Sequence, residues 1–290
     1  MDNNMVLRRC VTAMDYKIIV DSASNRTEKD FTESDIGFDV APLAVRIGEK
    51  DYPDVYSQDV SSFLQEVTST KEKVKTNCPS PMDFLSKRKE SVHYILITLT
   101  SRLSGSFNSA RLAKEQSENP DNVLVVDSGL VAGAEELLVK EAVSAIHKGL
   151  SFDQVKESVE AKKSDLEFIF GLSSLDALAN SGRFPKPIAL LVRKLNRKLI
   201  GTANDGKISI KQKKHNRDGL LQGIINQRKK IGKSLTGKDR IISYTGNKQD
   251  ALNLKDRVKK EYPDVGNILV RENRLLCTFY ASKNGLLVSY

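Results

Sequence analysis

The chain has 290 residues, 39% of them apolar, and a formal net charge of +9. That length supports two domains, or one large α/β domain, with a substantial core. No apolar run approaches the roughly 18 to 20 residues of a membrane-spanning helix, and the three widely spaced cysteines, Cys10, Cys78 and Cys277, fit reduced thiols in a cytoplasm and not a disulfide framework or a zinc site.

The charge is unevenly spread. Arg183 to Arg240 carries 17 Lys/Arg against Asp205, Asp218 and Asp239, a local net of +14, so the total of +9 leaves −5 elsewhere. Such asymmetry suits an acidic partner, whether nucleic acid, an anionic membrane surface or an acidic protein; a solvated basic face accounts for it equally well.

Residues 1 to about 15 read as a loosely ordered extension, and no secretory signal is expected there, because no long apolar segment follows Arg8 and Arg9. Tyr16 to Val20 is a buried strand that ends in Asp21-Ser22-Ala23-Ser24. Val40 to Ile47 is expected as a second strand, with a turn at Gly48-Glu49-Lys50. Asp59 or Ser61 can cap a short helix carrying Phe63, Leu64 and Val67. Further on, Ser80 at the N-cap, Pro81 at the first helical position and Asp83 at the third make a helix start. Thr76 and Asn77, just before it, lie where side chains can enter a cleft, or are simple loop polarity.

The stretch Tyr94 to Glu115 is the organising unit. Tyr94, Ile95, Leu96, Ile97 and Leu99 form the near-continuous apolar run of a parallel strand covered on both faces. Thr100, Ser101, Ser104, Gly105 and Ser106 follow, and helical spacing starts at Phe107. In open α/β sheets ligands sit at the carboxyl end of such a strand, where backbone N–H groups and a helix dipole favour an anion. A capped turn with no ligand has the same composition.

Asn122 to Val126 is a further strand, and helices follow over Ala132 to Lys148 and Phe152 to Lys163. Alternating strands and helices argue for a mostly parallel α/β domain over residues 1–163. After residue 164 the pattern mixes. A strand at Glu167–Gly171 precedes a short helix stopped by Gly182. Ile188, Leu191, Leu195 and Leu199 then stand at helical spacing, opposite Arg193, Lys194, Arg197 and Lys198. That stripe packs on a core or lies on a lipid surface. Strands are expected at Lys207–Lys211, Arg240–Thr245, Asn267–Arg271, Leu276–Tyr280 and Leu286–Ser289, and helices near Asp218–Ile231 and Lys248–Tyr262. Residues 164–290 therefore form an α+β domain.

The sequence offers little for conventional catalysis. It has no G-x-S-x-G elbow. His93 opens a strand, His147 ends a helix and His215 sits in the basic run. No His/Cys set has metal-ligand spacing. Gly232-Lys233-Ser234 ends like a P-loop, but Gln227 stands where that motif needs glycine. Few aromatics interrupt the basic segment, so specific nucleic-acid recognition is not expected.

Several segments in order resemble the DegV family, the fatty-acid-binding proteins whose bacterial members include the FakB carriers. They are IVDSAS at 19–24, DVAPLAV at 39–45, IGEKDYPD at 47–54, KTNCPSPMDF at 75–84, TSRLSGSFNSA at 100–110 and LDALANSGRF at 175–184. The resemblance implies a two-domain α/β fold holding one long-chain fatty acid between its domains, with no cofactor. It makes Thr76 and Ser101 the main carboxylate contacts, with Asn77, Thr100, Ser104 and Gly105 shaping the pocket. Arg183 would lie at the mouth, where a fatty-acid kinase partner docks and phosphorylates the bound acid, so the chain would not itself be an enzyme. Two departures stand out: Asn77 and Cys78 replace Ser and Gln, and Phe279 falls where the family has a histidine. Phenylalanine cannot orient a carboxyl group, so the resemblance carries lipid binding further than acyl-phosphate chemistry.

The leading expectation is a cytoplasmic fatty-acid carrier that visits the membrane surface. Two others come from different classes. One is an α/β hydrolase or phosphatase-like enzyme using Asp21, Ser22 and Ser101. The other is a polyanion-binding module built on residues 183–240.

Overall fold

The computed structural model describes residues 16–85, 92–194, 197–204 and 206–290. The expected extension at 1–15 with Cys10, the residues Leu195 and Asp205, and the side chains of Leu191, Arg193 and Lys194 lie outside that description.

In chain order the first part runs β1 (Tyr16–Asp21), β2 (Gly37–Ala41), β3 (Ala44–Ile47), β4 (Lys50–Pro53), α1 (Val60–Ser69), β5 (Val74–Asn77), α2 (Pro81–Leu85), β6 (His93–Thr98), α3 (Ser106–Glu115), β7 (Val123–Asp127), α4 (Gly133–His147) and α5 (Phe152–Lys163). The second runs β8 (Phe168–Leu172), α6 (Asp176–Asn180), α7 (Lys186–Lys194), β9 (Lys198–Asn204), β10 (Lys207–Lys214), α8 (Arg217–Ile231), β11 (Arg240–Tyr244), α9 (Lys248–Glu261), β12 (Ile268–Glu272), α10 (Leu275–Ala281) and β13 (Leu286–Ser289).

Three sheets result. The first is all parallel, in the order β2-β1-β6-β7. Its order reverses between β1 and β6, and a crevice opens at the carboxyl ends of two strands that turn opposite ways. The second is six-stranded, β10-β9-β8-β13-β11-β12, antiparallel except for β11 with β12. A small antiparallel sheet, β4-β3-β5, sits beside the first.

Strand alternation assigns the faces of the second sheet. Phe168, Phe170, Leu172, Leu199 and Leu287 join one core with the first sheet and α4. Their neighbours Ile169, Ile200, Leu286 and Val288 point the other way, under α8 and α9. Helix α4 touches β6 on one side and β11 and β13 on the other, so the two sheets share it. Gly201 makes one close approach possible: a Cβ there would come within 2.2 Å of the Phe170 ring.

Four expectations about elements are corrected. Val40–Ile47 is two strands in two sheets, because Pro42 lacks a donor and ends β2, and the Leu43 N–H then turns to the Ser22 hydroxyl at 3.0 Å. Thr76 and Asn77 belong to β5, not to a loop. The helix expected to reach Leu199 ends at Lys194; Leu199 is fully buried in β9, while Ile188 and Leu190 of α7 are about half exposed, 47% and 50%. The strand expected at Leu276–Tyr280 is helix α10. Leu275, Leu276, Cys277 and Thr278 are all buried, and a helix covered on every side shows no polar face in its sequence. The basic run is also less solvated than its composition suggests: Arg228 and Arg240 are buried, and Arg228 lies 3.5 Å from Glu167.

Candidate functional site

A cavity lies between the two large sheets; its empty space, open mouth included, is about 900 Å³. Ala23, Leu99, Thr100, Leu130 and Val131 come from the strand ends and loops of the first sheet. Phe168, Phe170, Leu172, Ala203, Ile208 and Leu287 supply the facing wall from the second sheet, and Leu276, Cys277, Tyr280 and Ala281 come from α10. Most of that wall is aliphatic or aromatic. Polar groups gather where β5 meets the turn before α3: Thr76, Asn77, Cys78, Ser104 and Arg183.

This polar end is the mouth. Asn77 and Cys78 are exposed and Thr76 is half-buried, whereas Phe168, Phe170 and Leu287 are buried. Cys78 crowds the turn so closely that a Cβ on Gly105 would lie 3.0 Å from its sulfur. The Thr76 hydroxyl is 2.9 Å from the hydroxyl of Tyr280. Arg183 donates from Nε to the Leu103 carbonyl at 3.0 Å and from Nη1 to the Ser181 carbonyl at 2.9 Å, which fixes its charge beside the turn. Across the mouth, Gly206 at φ +66° closes the β9–β10 hairpin tip onto Gly129, and a Cβ there would lie 2.5 Å from the Thr100 hydroxyl.

The central turn does not present a row of free donors. Thr100 N–H is held by the Leu130 carbonyl, Leu103 and Ser104 N–H by the Thr100 carbonyl, and Ser106 N–H by the Ser104 hydroxyl. Ser101 N–H goes to both oxygens of Asp127, at 3.2 and 3.3 Å. Of the expected carboxylate contacts, Thr76, Asn77, Thr100 and Ser104 line the cavity, as does Arg183. Ser101 and Gly105 do not. Ser101 is exposed and stands against an acidic group, a poor place for a second carboxylate. Phe279 is also off the lining; it packs against the cluster containing Leu43, Val45 and Phe63. Tyr280, which the sequence reading passed over, is the aromatic residue of α10 that reaches the cavity.

The enzyme alternative loses its constellation. Asp21 and Ser22 are buried away from the lining, Asp21 accepting the Leu99 and Ala23 N–H groups at 3.0 and 3.1 Å. Burial pushes the Asp21 carboxyl up to about 6. It also raises the Glu135 carboxyl well above its ordinary value, helped by the charge of Asp21. The histidines are spent elsewhere. His93 stacks on Phe152, His147 lies 3.2 Å from Asp35 and 3.9 Å from Glu33, and His215 is exposed.

Residues 15–288 match the family model described as "Uncharacterised protein, DegV family". The chain belongs to the DegV family. A DegV domain-containing protein of Streptococcus pyogenes serotype M18 is 31% identical over 283 residues, 96% of this chain and 99% of that protein. Among solved structures, the Streptococcus pneumoniae fatty acid kinase B3 protein loaded with linoleic acid superposes with a TM-score of 0.89 at 30% identity, covering 96% of this chain and 99% of its own. A DegV family protein from Eubacterium eligens loaded with heptadecanoic acid gives 0.86 at 23% identity, over 94% of this chain and 98% of its own, and shares the fold. The expected two-domain α/β architecture is therefore that of the DegV fold. Among the described residues no helix is long and apolar enough to cross a membrane.

Proposed function

We propose that this DegV chain binds one long-chain fatty acid in the cavity between its two sheets. The observation that carries the reading is an apolar lining that ends in a polar, cationic mouth. Each methylene taken from water into that lining contributes about 0.8 kcal/mol. The carboxylate meets Thr76 at the mouth, with Asn77, Thr100 and Ser104 around it and Arg183 supplying positive charge. The fatty-acid-loaded protein of S. pneumoniae, at 30% identity over nearly the whole chain, supports this reading. The two domains meet near residue 164, after α5, and the ligand lies between them.

The chain acts as a carrier, not as a catalyst. A separate kinase subunit would supply phosphoryl chemistry to the head group presented at the mouth. The carrier works in the cytoplasm and meets the membrane transiently, through the exposed Ile188 and Leu190 of α7 with Lys186 beside them. Denaturing mass spectrometry of freshly purified protein tests the reading. It predicts one fatty acid per chain, either co-purified or taken up from added oleate. Protein that carries none and takes up none would overturn it.

A further inference from the structure

A second cluster of chemistry-bearing side chains lies outside the cavity lining, where the loop before β2 meets the end of α4. His147, the last residue of α4, turns Nε2 toward two carboxylates of that loop. Nε2 lies 3.2 Å from Asp35 Oδ2 and 3.9 Å from Glu33 Oε2, and one donor atom from each residue falls within 4.8 Å of the other two. In a tetrahedral site with bonds of about 2.1 Å, neighbouring donor atoms stand about 3.4 Å apart, so this spacing already suits one ion. A single imidazole N–H satisfies one carboxylate and leaves the repulsion between two that converge on it. The loop is held on both sides of these residues. Phe31 stacks on Phe38 at 4.6 Å, Ile36 is buried, and Asp30 accepts from the Thr27 N–H and from Arg271 Nη1 at 2.9 and 2.6 Å. The negative end of the α4 dipole adds to the potential at His147.

We propose that Glu33, Asp35 and His147 form a divalent-cation site, and that Zn²⁺ is the ion this donor set takes. One imidazole nitrogen with two carboxylate oxygens suits Zn²⁺ better than Mg²⁺ or Ca²⁺, which take oxygen ligands. Two carboxylates and a neutral imidazole offset the two charges of the ion. All three side chains are partly exposed, so water fills the fourth position. The bound ion ties the loop leading into β2 to the end of α4, whose ligand lies 112 positions beyond Asp35. None of the three residues lines the cavity, so the site is independent of the fatty-acid reading. No local motif announces it, because the loop and the helix end meet only in the folded chain.

The test is a calorimetric titration of Zn²⁺ into untagged, chelator-stripped protein, run on the wild type, His147→Gln, Asp35→Asn and Cys78→Ser. The wild type should bind one Zn²⁺ per chain, and excess Mg²⁺ should not displace it. His147→Gln and Asp35→Asn should each weaken binding ~10-fold or more, since even residues that only support a ligand cost that much. Cys78→Ser should leave binding unchanged, because that thiol is outside the cluster. Zn²⁺ should also raise the thermal midpoint of the wild type and not that of His147→Gln. Both substitutions fall on partly exposed side chains, and circular dichroism checks that the variants are folded. A wild type that binds no Zn²⁺, or binding unmoved by His147→Gln and Asp35→Asn, overturns the proposal. Binding lost only in Cys78→Ser overturns it as well.

Discussion

Asp54 and Leu275 are 221 residues apart, yet the Asp54 carboxylate accepts the Leu275 N–H at 2.9 Å and the Leu276 N–H at 3.3 Å. Arg274 Nε lies 3.7 Å from the same carboxylate, whose side chain is fully buried. Helix α10 has no cap from its own N-cap residue, Arg274. A side chain from the end of the small sheet does that work instead, binding two of the four backbone donors that any helix start leaves open. The helix that brings Cys277, Tyr280 and Ala281 to the cavity is therefore positioned by the segment Gly48–Asp54.

Removing that carboxylate leaves two buried N–H groups and a cation without their partner. Asp54→Ala should destabilise the chain by about 3 kcal/mol, seen as a lower urea midpoint at unchanged slope. Asp54→Asn, which keeps one acceptor, should lose less. Equal stability of all three proteins would show that α10 is held by packing alone.

The raised Asp21 carboxyl sets a pH dependence with a definite sign. Below its ordinary value of 3.8 the group is protonated whether the chain is folded or unfolded. Between there and about 6 the folded chain keeps the proton and the unfolded chain loses it, so stability falls as pH rises through that window. A displacement of that size corresponds to about 3 kcal/mol. Thermal midpoints measured from about pH 4 to about pH 6.5 should drop in the wild type relative to Asp21→Asn, in which this contribution is gone. Parallel profiles for the two proteins would remove the assignment.

Thr76 and Ser101 are separated by their surroundings more than by their chemistry. Thr76→Val should weaken oleate binding ~10-fold or more, whereas Ser101→Ala should change it less than ~2-fold, because the Ser101 side chain is outside the lining. A large effect of Ser101→Ala in a folded protein would return the head group to the central turn.

Chain length is read by the wall that the second sheet supplies. Ala203 on β9 lines the cavity among Phe168, Phe170 and Ile208. Ala203→Trp should fill part of the space a long acyl chain needs, lowering oleate affinity ~4-fold for each methylene expelled while leaving decanoate bound about as before. Equal losses for both acids would mean that the acyl chain runs elsewhere.

Much of this was legible in the sequence where a physical period was at work. The run from Tyr94 to Leu99 announced a parallel strand covered on both faces, and β6 is that strand. Ser80, Pro81 and Asp83 announced a helix start, and the Ser80 N–H and hydroxyl do meet Asp83, at 2.7 and 2.8 Å. The strand expected at Glu167–Gly171 is β8, but Phe168, Ile169 and Phe170 are all apolar and all buried, so which of them enter the cavity needed the fold. Three things had no local signal. Helix α10 buries even its polar residue, Thr278, and is too short to show a helical period. Strand β5 is four residues long and polar at three of them, Lys75, Thr76 and Asn77. The engagement of the central turn's N–H groups depends on Asp127 and Leu130, which approach only after β7 pairs with β6. The same long-range meeting hid Tyr280, since nothing near it in sequence points to Thr76.

The measurement that tests the central claim most directly is a carbon-13 NMR titration of delipidated protein with oleate labelled at its carboxyl carbon. The account predicts one bound carboxyl resonance that saturates at one oleate per chain and shifts in Tyr280→Phe and Thr76→Val but not in Ser101→Ala. Only free or micellar oleate signals, or a bound signal indifferent to all three substitutions, would contradict it.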